Sequence, residues 1–186
     1  MFALLSFISN GLKVGDKAPG FTLKSTSGEN VSLKDHAKDG AIVIFSCNHC
    51  PYSKAYEDRI IALDKKYKDS YPVIMINSND PSKYEDDSFE NMKIRSKEKG
   101  FTFPYLVDET QEIAKAYGAL KTPHVYLLKK EGESAIVRYI GAIDDNTYSA
   151  KKVKKPYIEN AISSLNLGNK IEVEQTKAIG CGIKWK

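Results

Sequence analysis

Several features that would point to a particular class of protein are missing from this 186-residue sequence. No apolar run approaches the roughly 18 residues that a membrane-spanning helix needs, so we predict no membrane span. With three cysteines, the chain is not a disulfide-stabilised scaffold. We find no internal repeat, low-complexity tract, linker, phosphate-binding loop, nucleotide fingerprint or catalytic triad. The length then predicts one domain with a buried core.

Charge gives no strong indication of a partner. The net charge is +4, and lysine and glutamate are interleaved along most of the chain. One basic run, Lys151, Lys152, Lys154 and Lys155, could contact nucleic acid, but such runs are usually solvated surface. We therefore predict no nucleic-acid partner.

The apolar N-terminus invites comparison with a targeting signal. Residues 1–8 lack a basic region, are at the short limit for a signal peptide, and precede no clear small-residue cleavage site. We expect this segment to pack on the domain or on a second subunit, which leaves a homodimer open. The expected location is the cytoplasm, without a membrane partner.

A buried strand followed by an amphipathic helix is the clearest structural pattern. Residues 41–45 form a continuous apolar, β-branched run typical of a strand covered on both faces. Pro51 suits the first turn of a helix. Beyond it, apolar side chains recur every three or four residues, as expected for a helix with one buried face. These are Tyr52, Tyr56, Ile60, Leu63 and Tyr67.

The other predicted elements alternate between strands and helices. They are a β-hairpin at 21–33, strands at 73–76 and 105–107, a helix from Ser88 to Gly100, a brief helix closed by Gly118, a hairpin of 125–128 with 136–140, and a last helix opened by Pro156. The predicted fold class is α/β, a mixed β-sheet flanked by helices, with an N-terminal β-hairpin extension and a helical insertion. We assign 1–186 to a single domain, with an N-terminal segment (1–12) and a C-terminal tail (169–186).

The chemistry centres on the motif Cys47-Asn48-His49-Cys50, between that strand and that helix. A thiol at the amino end of a helix faces unpaired N–H groups and the positive end of the helix dipole, which favour the reactive thiolate. We predict that Cys47, at the strand-to-helix junction, is the more exposed nucleophile. Cys50, one turn into the helix, would be the resolving thiol. His49 would stabilise the Cys47 thiolate and make the couple moderately oxidising.

A zinc site is the alternative for this cysteine pair. Structural zinc usually needs four ligands, and the remaining soft donors are His36, His49, His124 and Cys181. Because no second CxxC and no HxxxH pattern occurs, we predict redox chemistry with no metal and no organic cofactor.

Thr122-Pro123-His124 forms a second element of interest, directly before the strand at 125–128. A proline there cannot serve an interior position of a β-ladder. Taken alone, these residues favour an ordinary trans proline in a loop.

In combination, these stretches resemble the bacterial redoxin (AhpC/TSA-type) branch of the thioredoxin-like superfamily. The matching stretches, spread over residues 12–184, are GDKAP at 15–19 with Phe21, CNHCPY at 47–52, NSND at 77–80, FPYL at 103–106, TPH at 122–124 and GAIDDN at 141–146. The resemblance implies a thioredoxin-like fold in which Pro123 is a cis-proline beside the dithiol and Thr122 offers its backbone to an extended substrate. It implies a thiol–disulfide oxidoreductase acting on protein or low-molecular-weight disulfides and thiols.

The same resemblance raises a peroxiredoxin-like thiol peroxidase as the alternative. That chemistry uses a Pro-x-x-x-Thr/Ser-x-x-Cys motif and a nearby arginine to polarise the peroxide. The motif fits neither register: counting back from Cys47 gives Gly40 and Ile44, and counting back from Cys50 gives Val43 and Cys47. We therefore favour disulfide exchange. A non-catalytic binding protein on the same fold is a third, weaker hypothesis.

Cys181 lies in an apolar end, residues 178–185, of a polar chain. It could resolve a disulfide of Cys47 or Cys50, or bridge two subunits. The alternative, which we favour, is a buried free thiol in a docked tail, with Trp185 as a packing anchor.

Two pairs of adjacent carboxylates resemble an acid–base dyad, Asp86/Asp87 and Asp144/Asp145. Because each pair lies in a loop with lysine or asparagine nearby, we interpret both as surface charge without a catalytic role.

Overall fold

A seven-stranded sheet organises residues 11–186, which are the residues that the structure, a computed structural model, describes. In this part of the chain the strands are β1 (Thr22–Ser25), β2 (Asn30–Ser32), β3 (Gly40–Phe45), β4 (Val73–Asn77), β5 (Tyr105–Val107), β6 (Lys121–Thr122), β7 (His124–Glu131), β8 (Ser134–Gly141) and β9 (Cys181–Gly182). The helices are α1 (Leu33–His36), α2 (Pro51–Tyr67), α3 (Phe89–Lys99), α4 (Glu112–Tyr117) and α5 (Tyr157–Asn166).

The main sheet is mixed, as predicted, with the strand order β2-β1-β5-β4-β3-β7-β8. β4 pairs in parallel with β3 and β5, whereas the β1–β2 and β7–β8 hairpins and the β3–β7 pair are antiparallel. β6 and β9 form a separate two-stranded sheet, which the sequence patterns did not predict. In the β3–β7 register Phe45 lies opposite His124, so the strand before the CxxC motif ends beside Pro123.

Both faces of the sheet are covered by helices, which explains why the sequence of β3 is apolar throughout. Ile42 and Ile44 pack with side chains of α2, α3 and α5, whereas Ala41, Val43 and Phe45 pack with side chains of α1 and α4. Successive side chains of a strand point to opposite faces, so a strand between two helix layers buries all of them. The prediction of a doubly covered central strand is confirmed.

Local end signals set most helix boundaries. α2 begins at Pro51, and α3 follows Ser88, whose hydroxyl oxygen accepts the N–H of Asn91. α3 ends before Gly100, which has the left-handed φ of 64° that glycine adopts readily. The boundary of the first hairpin is different from the prediction. Leu33 begins α1, because the Ser32 hydroxyl caps that helix instead of extending the strand.

Two further expectations concern a membrane span and the N-terminal segment. In residues 11–186 we find no helix that combines the length and apolar character needed to cross a bilayer. The expected packing of residues 1–8 lies outside the described residues.

Candidate active site

The CxxC motif lies in the connection from β3 to α2. β3 ends at Phe45 and α2 begins at Pro51, so Cys50 is the N-cap of α2 and Cys47 lies in the preceding turn. This corrects the prediction that Cys50 lies one turn into the helix. Proline fixes φ and has no N–H to donate, so it suits the first helical position, and the helix starts directly after Cys50.

Both thiols of the motif are buried. The exposed fraction is 3% for Cys47 and 0% for Cys50, so the greater exposure predicted for Cys47 is slight. The C-terminal tail docks on the domain, as expected. Its Cys181 lies over the motif, with its sulfur 2.7 Å from the sulfur of Cys50.

The hydrogen bonds among the thiols favour Cys50 as the thiolate. The pKa of Cys50 is lowered to about 4, chiefly because the Cys47 thiol donates a hydrogen bond to it. The same hydrogen bond, followed by burial and by the Asp87 carboxylate, raises the pKa of Cys47. Burial raises the pKa of Cys181 to about 11. The position of Cys50 at the positive end of α2 acts in the same direction, because it favours the thiolate of Cys50.

Thr122 contacts both thiols of the motif. Its Oγ1 lies 3.1 Å from Cys47 Sγ, and its carbonyl oxygen lies 3.2 Å from Cys50 Sγ, which can donate to it when protonated. The Thr122–Pro123 peptide bond is cis. The structure thus brings Thr122 and Pro123 together with the dithiol, and their role toward a substrate stays a prediction.

His49 is held by a carboxylate rather than by a thiol. Its Nδ1 lies 2.5 Å from Oδ2 of Asp87, and its ring stacks on Tyr84 with 4.0 Å between centroids. Although His49 is close to Cys47, its side-chain hydrogen bonds in the described residues go to Asp87 and Asn79. The geometry therefore gives His49 a place in the network that positions the motif, and its predicted effect on the Cys47 thiolate stays a prediction.

Asp87 is a site residue that sequence analysis missed. Its exposed fraction is 2%, and its Oδ1 accepts the backbone N–H of Asn48 at 2.6 Å. The interpretation of the Asp86/Asp87 pair as surface charge is correct only for Asp86. In the second pair, Asp144/Asp145, the interpretation holds only for Asp145, because Asp144 is buried and forms an ion pair with Arg59. The one local signal that could have identified Asp87 is its position directly before Ser88, which caps α3.

Three neighbouring side chains at this site are of kinds that bind metals. The Cys47 sulfur, a His49 ring nitrogen and an Asp87 oxygen lie within 4.8 Å of one another, and zinc accepts all three donors. In the structure, however, His49 and Asp87 are hydrogen-bonded to each other. Because Asp87 also accepts the backbone N–H of Asn48, we interpret the cluster as a positioning network; the prediction of no metal remains a prediction.

The arginines are engaged elsewhere. They pair with carboxylates, Arg59 with Asp144, Arg95 with Glu57 and Arg138 with Glu131. Among residues 11–186 no arginine hydrogen-bonds a thiol, so these contacts give no support to the peroxidase alternative.

Comparisons with known proteins show what this chain is similar to. The family model described as the AhpC/TSA family matches residues 14–146. The thioredoxin-like protein YneN of Bacillus subtilis is 28% identical over 122 residues, covering 66% of this chain and 69% of that protein. The thiol-disulfide oxidoreductase ResA of Halalkalibacterium halodurans is 23% identical over 145 residues, covering 77% of this chain and 78% of its own.

A solved structure extends the likeness to nearly the whole chain. The crystal structure of an uncharacterized conserved protein from Geobacillus kaustophilus is 38% identical and superposes with a TM-score of 0.87. It covers 95% of this chain and 94% of that one. The fold is thus thioredoxin-like, and the chain belongs to the AhpC/TSA family.

Proposed function

We propose that this protein is a thiol–disulfide oxidoreductase in which Cys50 is the attacking sulfur and Cys47 the resolving thiol. The observation that carries the proposal is the position of Cys50 at the amino end of α2, where the positive end of the helix dipole favours its thiolate. The lowered pKa of Cys50 has the same direction. A thiolate at neutral pH is the species that attacks disulfides. These roles are the reverse of those predicted from the spacing of the motif.

The reaction follows from two sulfurs that share one proton. The Cys50 thiolate attacks one sulfur of a substrate disulfide, forms a mixed disulfide, and releases the other substrate sulfur as a thiolate. Cys47 then loses its proton and attacks Cys50, which forms the Cys47–Cys50 disulfide and releases the second substrate thiolate. The substrate gains two electrons and the protein loses two. The reverse sequence oxidises a substrate dithiol.

The relatives support this reaction class over the alternatives. ResA is named as a thiol-disulfide oxidoreductase and YneN as a thioredoxin-like protein. We propose protein or low-molecular-weight thiols and disulfides as the substrate class. Peroxide reduction has less support, since no arginine among the described residues hydrogen-bonds a thiol.

A redox titration against glutathione, read by alkylation and peptide mass spectrometry, tests the proposal together with a peroxide-consumption assay. The expected result is a reversible Cys47–Cys50 disulfide at a defined potential with negligible peroxide turnover. Rapid peroxide consumption would establish the peroxidase instead. Unchanged biological activity in a Cys50→Ser protein would favour the non-catalytic binding hypothesis.

Trapping assigns the two roles. With Cys181 also replaced by serine, so that its sulfur, 2.7 Å from that of Cys50, cannot resolve the intermediate, Cys47→Ser should accumulate a mixed disulfide between Cys50 and the substrate. Cys50→Ser is the matched variant. Accumulation through Cys47 in that variant would restore the order predicted from sequence.

A further inference from the structure

The C-terminal tail runs back from α5 across the molecule to the dithiol. It first contacts the edge strand β8, where the N–H of Thr176 donates to the carbonyl of Ile140 at 2.9 Å. Beyond the dithiol, the N–H of Lys184 donates to Oδ1 of Asn79 at 2.8 Å. Ile183 between these anchors is buried in the core. The tail is therefore held on both sides of the site.

Between its anchors, the tail brings a third thiol to the motif. In the β6–β9 pair, Cys181 lies opposite Thr122. The two backbones are so close that a Cβ added to Gly180 would lie 2.1 Å from the Thr122 carbonyl oxygen. The Cys181 sulfur reaches the Cys50 sulfur at 2.7 Å, and Cys50 is also the hydrogen-bond partner of Cys47. Cys50 is thus the middle sulfur of three.

Accessibility separates the three thiols. Cys47 and Cys50 are buried, whereas Cys181 is partly exposed. While the tail is docked, a protein substrate can approach Cys181 and neither of the other two. A dithiol that exchanges disulfides with proteins therefore needs either an undocked tail or a route through Cys181.

We propose that Cys181 is a third redox residue of this site, which relays the disulfide between the buried Cys47–Cys50 pair and protein thiols at the surface. This inference rests on the proposed function, because it needs a redox-active Cys47–Cys50 pair. The relay differs from a simpler hypothesis in which the tail only covers the site, because a cover would not need a thiol opposite Thr122.

The relay consists of balanced thiol–disulfide exchanges. The Cys181 sulfur attacks Cys50, breaks the Cys47–Cys50 bond, and forms a Cys50–Cys181 disulfide; the proton of Cys181 passes to Cys47, with no net oxidation. A substrate thiolate then attacks Cys181 and releases Cys50 as a thiolate. The second substrate thiolate displaces Cys181, so the substrate loses two electrons and the protein gains them. In reverse, the steps reduce a substrate disulfide.

The surface beside Cys181 is suited to a polypeptide partner. Leu120, whose carbonyl accepts the N–H of Ile183, is 64% exposed. Tyr148 is 75% exposed and its ring lies 5.7 Å from that of Tyr52 in the first turn of α2. These exposed apolar side chains offer a peptide substrate contacts that a small polar thiol does not use.

Three variants of the full chain test the relay. Cys181→Ser removes the thiol and keeps the length of the side chain. Gly180→Ala keeps the thiol and forces the tail away from Thr122, whereas Gly182→Ala adds the same methyl group where nothing lies within 4 Å. Each variant is titrated against glutathione with disulfide mapping. Each is also assayed for exchange with an unstructured peptide that carries a cysteine pair.

The wild type is expected to yield both Cys47–Cys50 and Cys50–Cys181 disulfides. Cys181→Ser and Gly180→Ala should exchange with the peptide about tenfold more slowly or worse, because a tethered thiol has a high effective concentration. They should still form the Cys47–Cys50 disulfide with glutathione, and Gly182→Ala should behave as the wild type does.

Other outcomes would overturn the relay. Faster peptide exchange in Cys181→Ser and Gly180→Ala would make the tail a cover that blocks the site. Unchanged exchange in Cys181→Ser would remove Cys181 from the reaction. One zinc ion per purified chain, protecting all three thiols from alkylation until chelated, would make them metal ligands. In contrast, absence of any Cys47–Cys50 disulfide in the wild type would refute the proposed function itself.

Discussion

The carboxylate of Asp87 binds the ring of His49 across 38 residues of sequence, with 2.5 Å between Oδ2 and Nδ1. Its other oxygen accepts the backbone N–H of Asn48 at 2.6 Å. A fully buried carboxylate is stabilised only when such donors surround it. Asp87 thus fixes the conformation of the two residues between the cysteines.

Asp87→Asn should destabilise the protein by about 2 to 3 kcal/mol, because hydrogen bonds to a charged group are lost and an amide hydrogen faces a backbone donor. The measurement is the free energy of unfolding in urea. Asp86→Asn is the matched control, since Asp86 is exposed and contributes its backbone carbonyl, not its side chain, to Asn48. Equal stabilities of the two variants would contradict the role given to Asp87.

The ionisation of Cys50 gives a second prediction. In the reduced protein, the ultraviolet absorbance of the thiolate should titrate with a midpoint near the pKa of about 4. Since this value lies below neutrality, the exchange rate at neutral pH should be at its plateau and should fall as the pH drops through that midpoint. Cys47→Ala should raise the midpoint, because the donor hydrogen bond that chiefly lowers this pKa is removed. An unchanged midpoint in Cys47→Ala would assign the low pKa to another cause.

Local sequence signals predicted the elements that frame the site. The apolar run before Cys47 and the proline after Cys50 act over a few residues, so the strand and helix were found with nearly correct ends. Ser88 and Gly100 likewise limit α3 through their own hydrogen bonds and backbone angles. Such signals do not depend on the rest of the chain.

The contacts that complete the site join distant residues, and no local pattern predicts them. Cys181 meets Cys50 across 131 residues through a strand of two residues, too short for an alternating pattern. Asp87 is buried because Asn48 and His49 fold onto it, and an isolated Asp-Asp pair carries no trace of that partner. The near-complete burial of Cys47 was not predicted for the same reason, since its partner Thr122 is 75 residues away in sequence.

His124, directly after Pro123, predicts a pH-dependent stability. Burial lowers its pKa from 6.5 to about 4, and the neutral ring accepts the N–H of Leu120 at 3.4 Å. Between these two pKa values the unfolded chain binds more protons than the folded one, so stability rises with pH through this window. The slope that His124 contributes is at most about 1.4 kcal/mol per pH unit.

The test replaces His124 with asparagine, whose side-chain oxygen can still accept the Leu120 N–H but does not titrate. Unfolding free energies of both proteins are measured from pH 4 to 7. The difference between them should shrink or reverse in favour of the asparagine variant as the pH falls, because the wild type alone must keep a buried histidine neutral. If the unfolding free energies of the two proteins changed in parallel with pH, His124 would not contribute to the pH dependence of stability.

The docking of the C-terminal tail should depend on Ile183, which is 6% exposed and packs in the core layer under α1 and α4. Truncating a buried isoleucine to alanine costs about 2 to 5 kcal/mol. A terminal segment can undock without unfolding the sheet, so this cost should appear locally rather than in global stability. Ile183→Ala is therefore expected to speed amide hydrogen exchange in residues 178–186 and alkylation of Cys50 by iodoacetamide. Ile179→Ala, at a position 45% exposed, is the matched control and should change neither; equal Cys50 alkylation in both variants would mean that the tail is held mainly by its backbone contacts.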